Sequence, residues 1–218
     1  MKKKALFFVW TLFISAAARA QYESPPYQPP PEETVVSKQE AKAVVLRVYR
    51  YYGILGGGAS VPFGGHWGDS SAGFRISPDI TFAGGKKVDD TLSYGLETSY
   101  SSGHKNKVIT DMKVRIFSLT PFLRISSQSG AKNYFAVFGA GVYHWTRLHY
   151  TAGGESFSSD SGSSLGVNMG GGAVYPFWGD VQVGAELRWH HIFSVQGSQL
   201  DVGLVNNIVP SVFVFYGF

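Results

Sequence analysis

The sequence predicts an all-β chain: eight antiparallel strands closed into an up-and-down barrel that sits in lipid. Apolar and polar residues alternate with a period of two in eight separate runs. Short turns and long polar loops connect those runs alternately, and aromatic residues collect at the ends of the apolar faces.

Composition narrows the class before any single element is placed. The 218 residues are 44% hydrophobic but only 16% charged, with 27 Gly and no Cys. Charge this far below the ~25% usual in soluble domains argues against disorder and against a salt-laced helical protein. The lack of cysteine excludes a disulfide scaffold, a thiolate metal site and a Cys nucleophile. A formal net charge of +4 suits a nucleic-acid partner at first sight. Residues 1–20, however, hold four of the 19 basic residues and no acid, so the remaining 15 bases balance 15 acids. The basicity belongs to a leader, and no nucleic-acid partner is expected.

Lys2, Lys3 and Lys4 precede an apolar stretch from Ala5 to Ile14. That stretch is too short for a spanning helix, which needs ~20 apolar residues. Ala18 and Ala20 flank Arg19 as the small residues of a cleavage site, so 1–20 reads as a signal peptide cut after Ala20. No cysteine stands at the cut to carry a lipid anchor. Residues 21–46 follow as a periplasmic tether, extended by Pro25-Pro26 and Pro29-Pro30-Pro31. The barrel is assigned to 47–218.

The eight runs lie near 48–61, 71–83, 91–101, 112–126, 133–150, 163–177, 180–193 and 207–218. In the third, Leu92, Tyr94, Leu96, Thr98 and Tyr100 share one face, opposite Ser93, Gly95, Glu97 and Ser99. In the seventh, Val181, Val183, Ala185, Leu187 and Trp189 face away from Gln182, Gly184, Glu186, Arg188 and His190. In the second, Phe74, Ile76, Pro78, Ile80 and Phe82 oppose Arg75, Ser77, Asp79 and Thr81. An even set of short strands suits a soluble sandwich or a closed barrel. Rings at strand ends (Tyr94 and Tyr100, Tyr143 and Trp145, Tyr175 and Phe177, Trp189) match interfacial girdles. Charge and glycine on the other faces, with the short turn at Gly179-Asp180 against the long loop over 151–164, also favour the barrel. In lipid, a sheet must close because an open edge finds no hydrogen-bond partner.

The last run ends on an aromatic residue, with Phe218, Tyr216, Val214, Val212 and Pro210 on one face. This strand, Leu165 to Ala173 and Leu119 to Arg124 together resemble the eight-stranded outer-membrane β-barrel family that includes OmpA and OmpX. The resemblance implies an outer-membrane location in a Gram-negative-type bacterium, with lipids and lipopolysaccharide as surroundings. It also implies that Tyr216 and Phe218 form the signal read by the barrel-assembly machinery. Phe213 and Phe215 then fall on the interior face, where they either plug a narrow bore or mark a register slip at Pro210.

The same alternation points Arg50, Arg75, Asp79, Glu97, Arg124, Glu186, Arg188 and His190 inward. Buried charges persist only when paired, so a network across the bore is expected. It serves either as a structural plug or as a gated ion path. His190, His191, Ser194 and Asp201 have the residue types of a lipid A deacylase, but a His and a Ser four residues apart on a strand are ~13 Å apart, too far for proton transfer. Gly56-Gly57-Gly58 and Gly170-Gly171-Gly172 lack the Lys-Ser/Thr of a phosphate loop and read as sites of close backbone approach. His104-Lys105-Asn106-Lys107 reads as a basic loop. No catalytic residue, cofactor or metal is assigned. The expected function is structural, with four extracellular loops for surface ligands such as adhesion partners.

Overall fold

The computed structural model describes residues 50–129, 132–197 and 201–218. The signal peptide with Ala18 and Ala20, and the tether over 21–46, lie outside the described residues. Among the described residues there are ten strands: β1 Tyr51–Pro62, β2 Ser77–Lys87, β3 Leu92–Lys105, β4 Lys113–Ser129, β5 Lys132–Arg147, β6 Tyr150–Ala152, β7 Glu155–Phe157, β8 Asp160–Trp178, β9 Val181–Gln196 and β10 Asp201–Gly217. Eight of them form a closed antiparallel barrel in the circular order β1-β10-β9-β8-β5-β4-β3-β2, while β6 and β7 make a small separate hairpin. Closure is sealed where Tyr51 N–H donates to Phe218 O (3.0 Å) and Phe218 N–H donates to Tyr51 O (2.9 Å). The eight-stranded ring therefore has no open edge.

The alternation read from the sequence sets which side chains face out. Leu55, Leu96 and Leu187 are all more than half exposed on the outer wall, where lipid rather than a protein core covers them. One rim carries both ends of the barrel and the short turns. In the β2–β3 turn, Asp89 Oδ1 accepts from the backbone N–H groups of Thr91 and Leu92, each at 2.7 Å. Those bonds hold the Asp89 carboxyl below its ordinary pKa. In the β8–β9 turn, Gly179 takes φ +59°, a conformation that side chains disfavour. The long connections collect at the opposite rim.

Three expectations change here. The alternation predicts the second run over 71–83, but β2 starts at Ser77 and continues to Lys87. The chain before it turns over the barrel mouth, so Phe74 is buried against Trp67 instead of facing out (ring centres 4.2 Å apart). Tyr143 and Trp145 do not belong to an interfacial girdle, since both are buried inside. The segment over 151–164 is not an open loop: it is the β6–β7 hairpin, turning at Gly153-Gly154 with positive φ, followed by the start of β8.

Register through β10 is continuous across Pro210, which pairs with Leu187 and points outward. Phe213 and Phe215 are therefore genuine interior residues. Five of the inward rings sit opposite an inward glycine on the neighbouring strand: Tyr52 on Gly85, Phe122 on Gly95, Phe135 on Gly172, Phe213 on Gly184 and Trp145 on Gly162. A Cβ added at any of these glycines would collide with that ring. Glycine here makes room for rings in a bore that eight strands leave barely wide enough to fill.

Candidate functional site in the barrel interior

The interior is layered. Toward the terminal rim, Tyr52, Phe122, Phe135, Val137, Phe213 and Phe215 form an apolar plug. Tyr52 stacks on Phe215 (4.8 Å between ring centres), and its hydroxyl hydrogen-bonds Ser93 Oγ at 3.0 Å. Arg124 lies on this plug, its guanidinium carbon 3.7 Å from the Phe135 ring centre and 5.4 Å from that of Phe215. A cation over ring faces in a desolvated space is attracted by their negative quadrupole.

The middle layer is polar. Arg188 of β9 forms ion pairs with Glu186 on its own strand and with Glu97 of β3 on the far wall. Asp79 accepts hydrogen bonds from Ser101 Oγ (2.7 Å) and Thr81 Oγ1 (3.3 Å). Ser99 and Ser118 pair at 2.7 Å, and Asn168 Nδ2 donates to Thr120 Oγ1 at 3.3 Å. His190 Nδ1 shares a hydrogen bond with the Tyr143 hydroxyl at 3.0 Å. The space among Glu97, Glu186, Arg188 and His190 is about 20 Å³, room for about one water.

Toward the loop rim a second, larger apolar cluster closes the bore. Val114, Ile116, Trp145, Ile192 and Val205 from the strands pack with Trp67, Phe74, Met112 and Tyr150 from the connections. Trp67 Nε1 donates to Asn207 Oδ1 at 2.8 Å, tying the first connection to β10. Asn106 Oδ1 accepts from the N–H groups of Val108 and Ile109, while its Nδ2 donates to Ala72 O. The connections thus form a braced crown. In it, Asp69 accepts from the Ala72 and Ser71 amides and the Ser71 hydroxyl, which holds its carboxyl down to about 2.

Of the eight charged residues read as inward, the structure brings Asp79, Glu97, Arg124, Glu186, Arg188 and His190 into the interior. It does not bring in Arg50 or Arg75. Arg50 is exposed just ahead of β1, and Arg75 is exposed just ahead of β2. Both precede their strands, so neither is bound by the strand's alternation. Sequence reasoning missed Tyr143, Asn168 and the ring–glycine pairs, because these depend on which strands are neighbours. It also read His104 as part of a loop, whereas His104 is buried at the end of β3, edge-on to Trp67, with Nδ1 at 3.0 Å from Arg75 O.

No deacylase-like set assembles. His190 faces inward, His191 faces outward with Nδ1 2.7 Å from Asn206 Oδ1, and Asp201 bonds within its own turn to Gly203 N–H. Among the described residues, no group of three or more His, Asp or Glu is placed to hold a metal ion. Tyr216 and Phe218 lie stacked and exposed on the outer wall (ring centres 6.1 Å apart), level with the barrel seam.

Comparison with known proteins agrees with this architecture. A family model described as "Outer membrane protein beta-barrel domain" matches residues 38–208. No curated protein matches the chain by sequence. Among solved structures, the fold is similar to that of Neisserial surface protein A, at 15% identity and a TM-score of 0.53, covering 77% of this chain and 96% of that one. OprG from Pseudomonas aeruginosa matches at 16% identity and a TM-score of 0.49, covering 78% and 96%. Ail of Yersinia pestis matches at 14% and 0.45, covering 78% and 100%. With closed topology, apolar outer wall and filled bore in place, the family match over most of the chain makes this protein a member of the outer membrane protein β-barrel domain family, a small barrel of the Gram-negative outer membrane.

Proposed function

We propose that this barrel works without catalysis, as a sealed shaft that stabilises the envelope and holds a rigid crown at the cell surface for contact with other molecules. The observation that carries this reading is the enclosure of the charged layer between two apolar plugs, the upper of which recruits the connections themselves. A pore needs a wet path, and an enzyme of this membrane needs reactive groups facing its lipid substrate. Neither feature is favoured here. In the proposed orientation the terminal rim is periplasmic and the crown extracellular. Tyr216 and Phe218 serve as the assembly signal, presented on the last strand to the barrel-assembly machinery. Beyond the outward Tyr100–Phe117 pair, Lys105, Lys113 and Arg115 line the crown side of β3 and β4, with Arg75 bonded through its backbone beside Lys105, a set suited to lipopolysaccharide phosphates.

Planar-bilayer recording tests the seal. Repeated insertions are expected to stay electrically silent; discrete steps that shift on Glu186→Gln would replace this reading with that of a narrow channel. Lipid A from cells with and without the protein is expected to give the same mass spectrum.

A further inference from the structure

The outer wall is not uniformly filled. On β1 and β2, Gly53 and Gly84 are cross-strand partners, and both occupy outward positions. An added Cβ at Gly53 meets nothing within 4 Å, and one at Gly84 meets only Tyr52 O at 4.0 Å. These glycines therefore do not accommodate a neighbour, unlike the interior ones. They leave an apolar groove of about 540 Å³, walled by Leu55, Phe82, Leu96 and Tyr216.

Directly below Gly84 on the same face stands Lys86, flanked across the strands by Tyr51 on β1 and Tyr94 on β3. Its ammonium lies 6.0 Å from the Tyr51 ring centre. Arg50 lines the hollow at this rim together with Lys86, Lys87 and Tyr94. Asp89 and Asp90 border the same hollow; Asp89 Oδ1 is already engaged by two amides of its turn. Arg50, Lys86 and two tyrosines thus sit together at the terminal rim, two residues along the strand from the glycine slot.

From this juxtaposition, the geometry points to a binding site for one anionic glycerophospholipid: phosphate on Lys86 and Arg50, one acyl chain in the Gly53–Gly84 groove. Charge selects this occupant over a second copy of the chain. Two barrels inserted the same way would meet with Lys86 and Arg50 at equal depth, cation against cation. An acyl chain also supplies the dispersion contacts that the missing side chains forgo.

The test uses the full mature chain folded into vesicles of phosphatidylethanolamine and phosphatidylglycerol, extracted in mild detergent, with co-purifying lipid quantified by mass spectrometry. Phosphatidylglycerol is expected to be enriched roughly fivefold or more over the bulk ratio, as one surface cation already favours an anionic lipid by about that factor. Gly84→Leu, whose side chain enters open space, and Lys86→Gln with Arg50→Gln are each expected to return the ratio to bulk. Both variants should keep heat-modifiable migration. A bulk ratio for the unaltered protein, or enrichment surviving both variants, overturns the site. A disulfide-linked dimer from Gly84→Cys in the same vesicles, with lipid at the bulk ratio, overturns it in favour of a second copy. A silent or conducting bilayer leaves this outcome unaffected, so the site and the proposed function fail separately.

Discussion

Arg188 holds two carboxylates from opposite walls of the bore, and its loss leaves Glu97 and Glu186 facing each other without a counter-charge. Breaking such a buried set from one side costs roughly 3–5 kcal/mol, whereas replacing all partners by neutral groups costs far less. Arg188→Met is therefore expected to lower stability by about that amount in guanidinium unfolding from lipid vesicles. The triple change Arg188→Met, Glu97→Gln, Glu186→Gln is expected to recover most of it. Asp69 gives a second residue-level prediction. Its folded carboxyl lies at about 2, against an ordinary 3.8. A depressed folded value means the turn's stabilisation is fully present above 3.8 and is lost as pH falls through about 2. Amide resonances of Ser71 and Ala72 are expected to hold steady down through the ordinary carboxylate range and to move only near the lower value.

Among strands, the decisive unit is the ring seated on the glycine across from it. At Gly85 the three atoms nearest an added Cβ all belong to the Tyr52 side chain. Gly85→Val is expected to cost ~1–3 kcal/mol by overpacking. Combined with Tyr52→Ala, it should cost less than the two changes summed, because the collision is gone. These pairs also explain what the sequence reveals. Leu96, Leu187 and Val214 were legible as outward-facing because a strand in lipid tolerates little else on that face. Tyr143 and Trp145 were not, because the room for a ring comes from a neighbouring strand: Gly162, opposite Trp145, and Gly166, which lies against the Tyr143 ring. Pairing register is a tertiary fact, so a ring on the inner face looks the same as one at the interface. Arg75 lies outside the bore for a related reason: alternation says which face a residue takes, but not where the strand begins.

At the level of the whole molecule, the crown is continuous with the shaft. Trp67 is wholly buried, stacked on Phe74 and bonded to Asn207. Trp67→Ala is expected to cost ~3–5 kcal/mol locally. The crown should then open to trypsin at Lys105 and Lys107 while the strands below stay resistant and heat-modifiable. If instead the barrel unfolds with it, crown and shaft form one cooperative unit. The joint between Tyr51 and Phe218 carries a further consequence. The earliest and final strands of this ring clasp each other, so the cylinder cannot be completed until β10 has been delivered. Any product shortened by a strand is left with two raw borders in oil, a state with no low-energy resting place. Completion is thereby its own checkpoint, because only a chain that carries all eight barrel strands can come to rest in the bilayer.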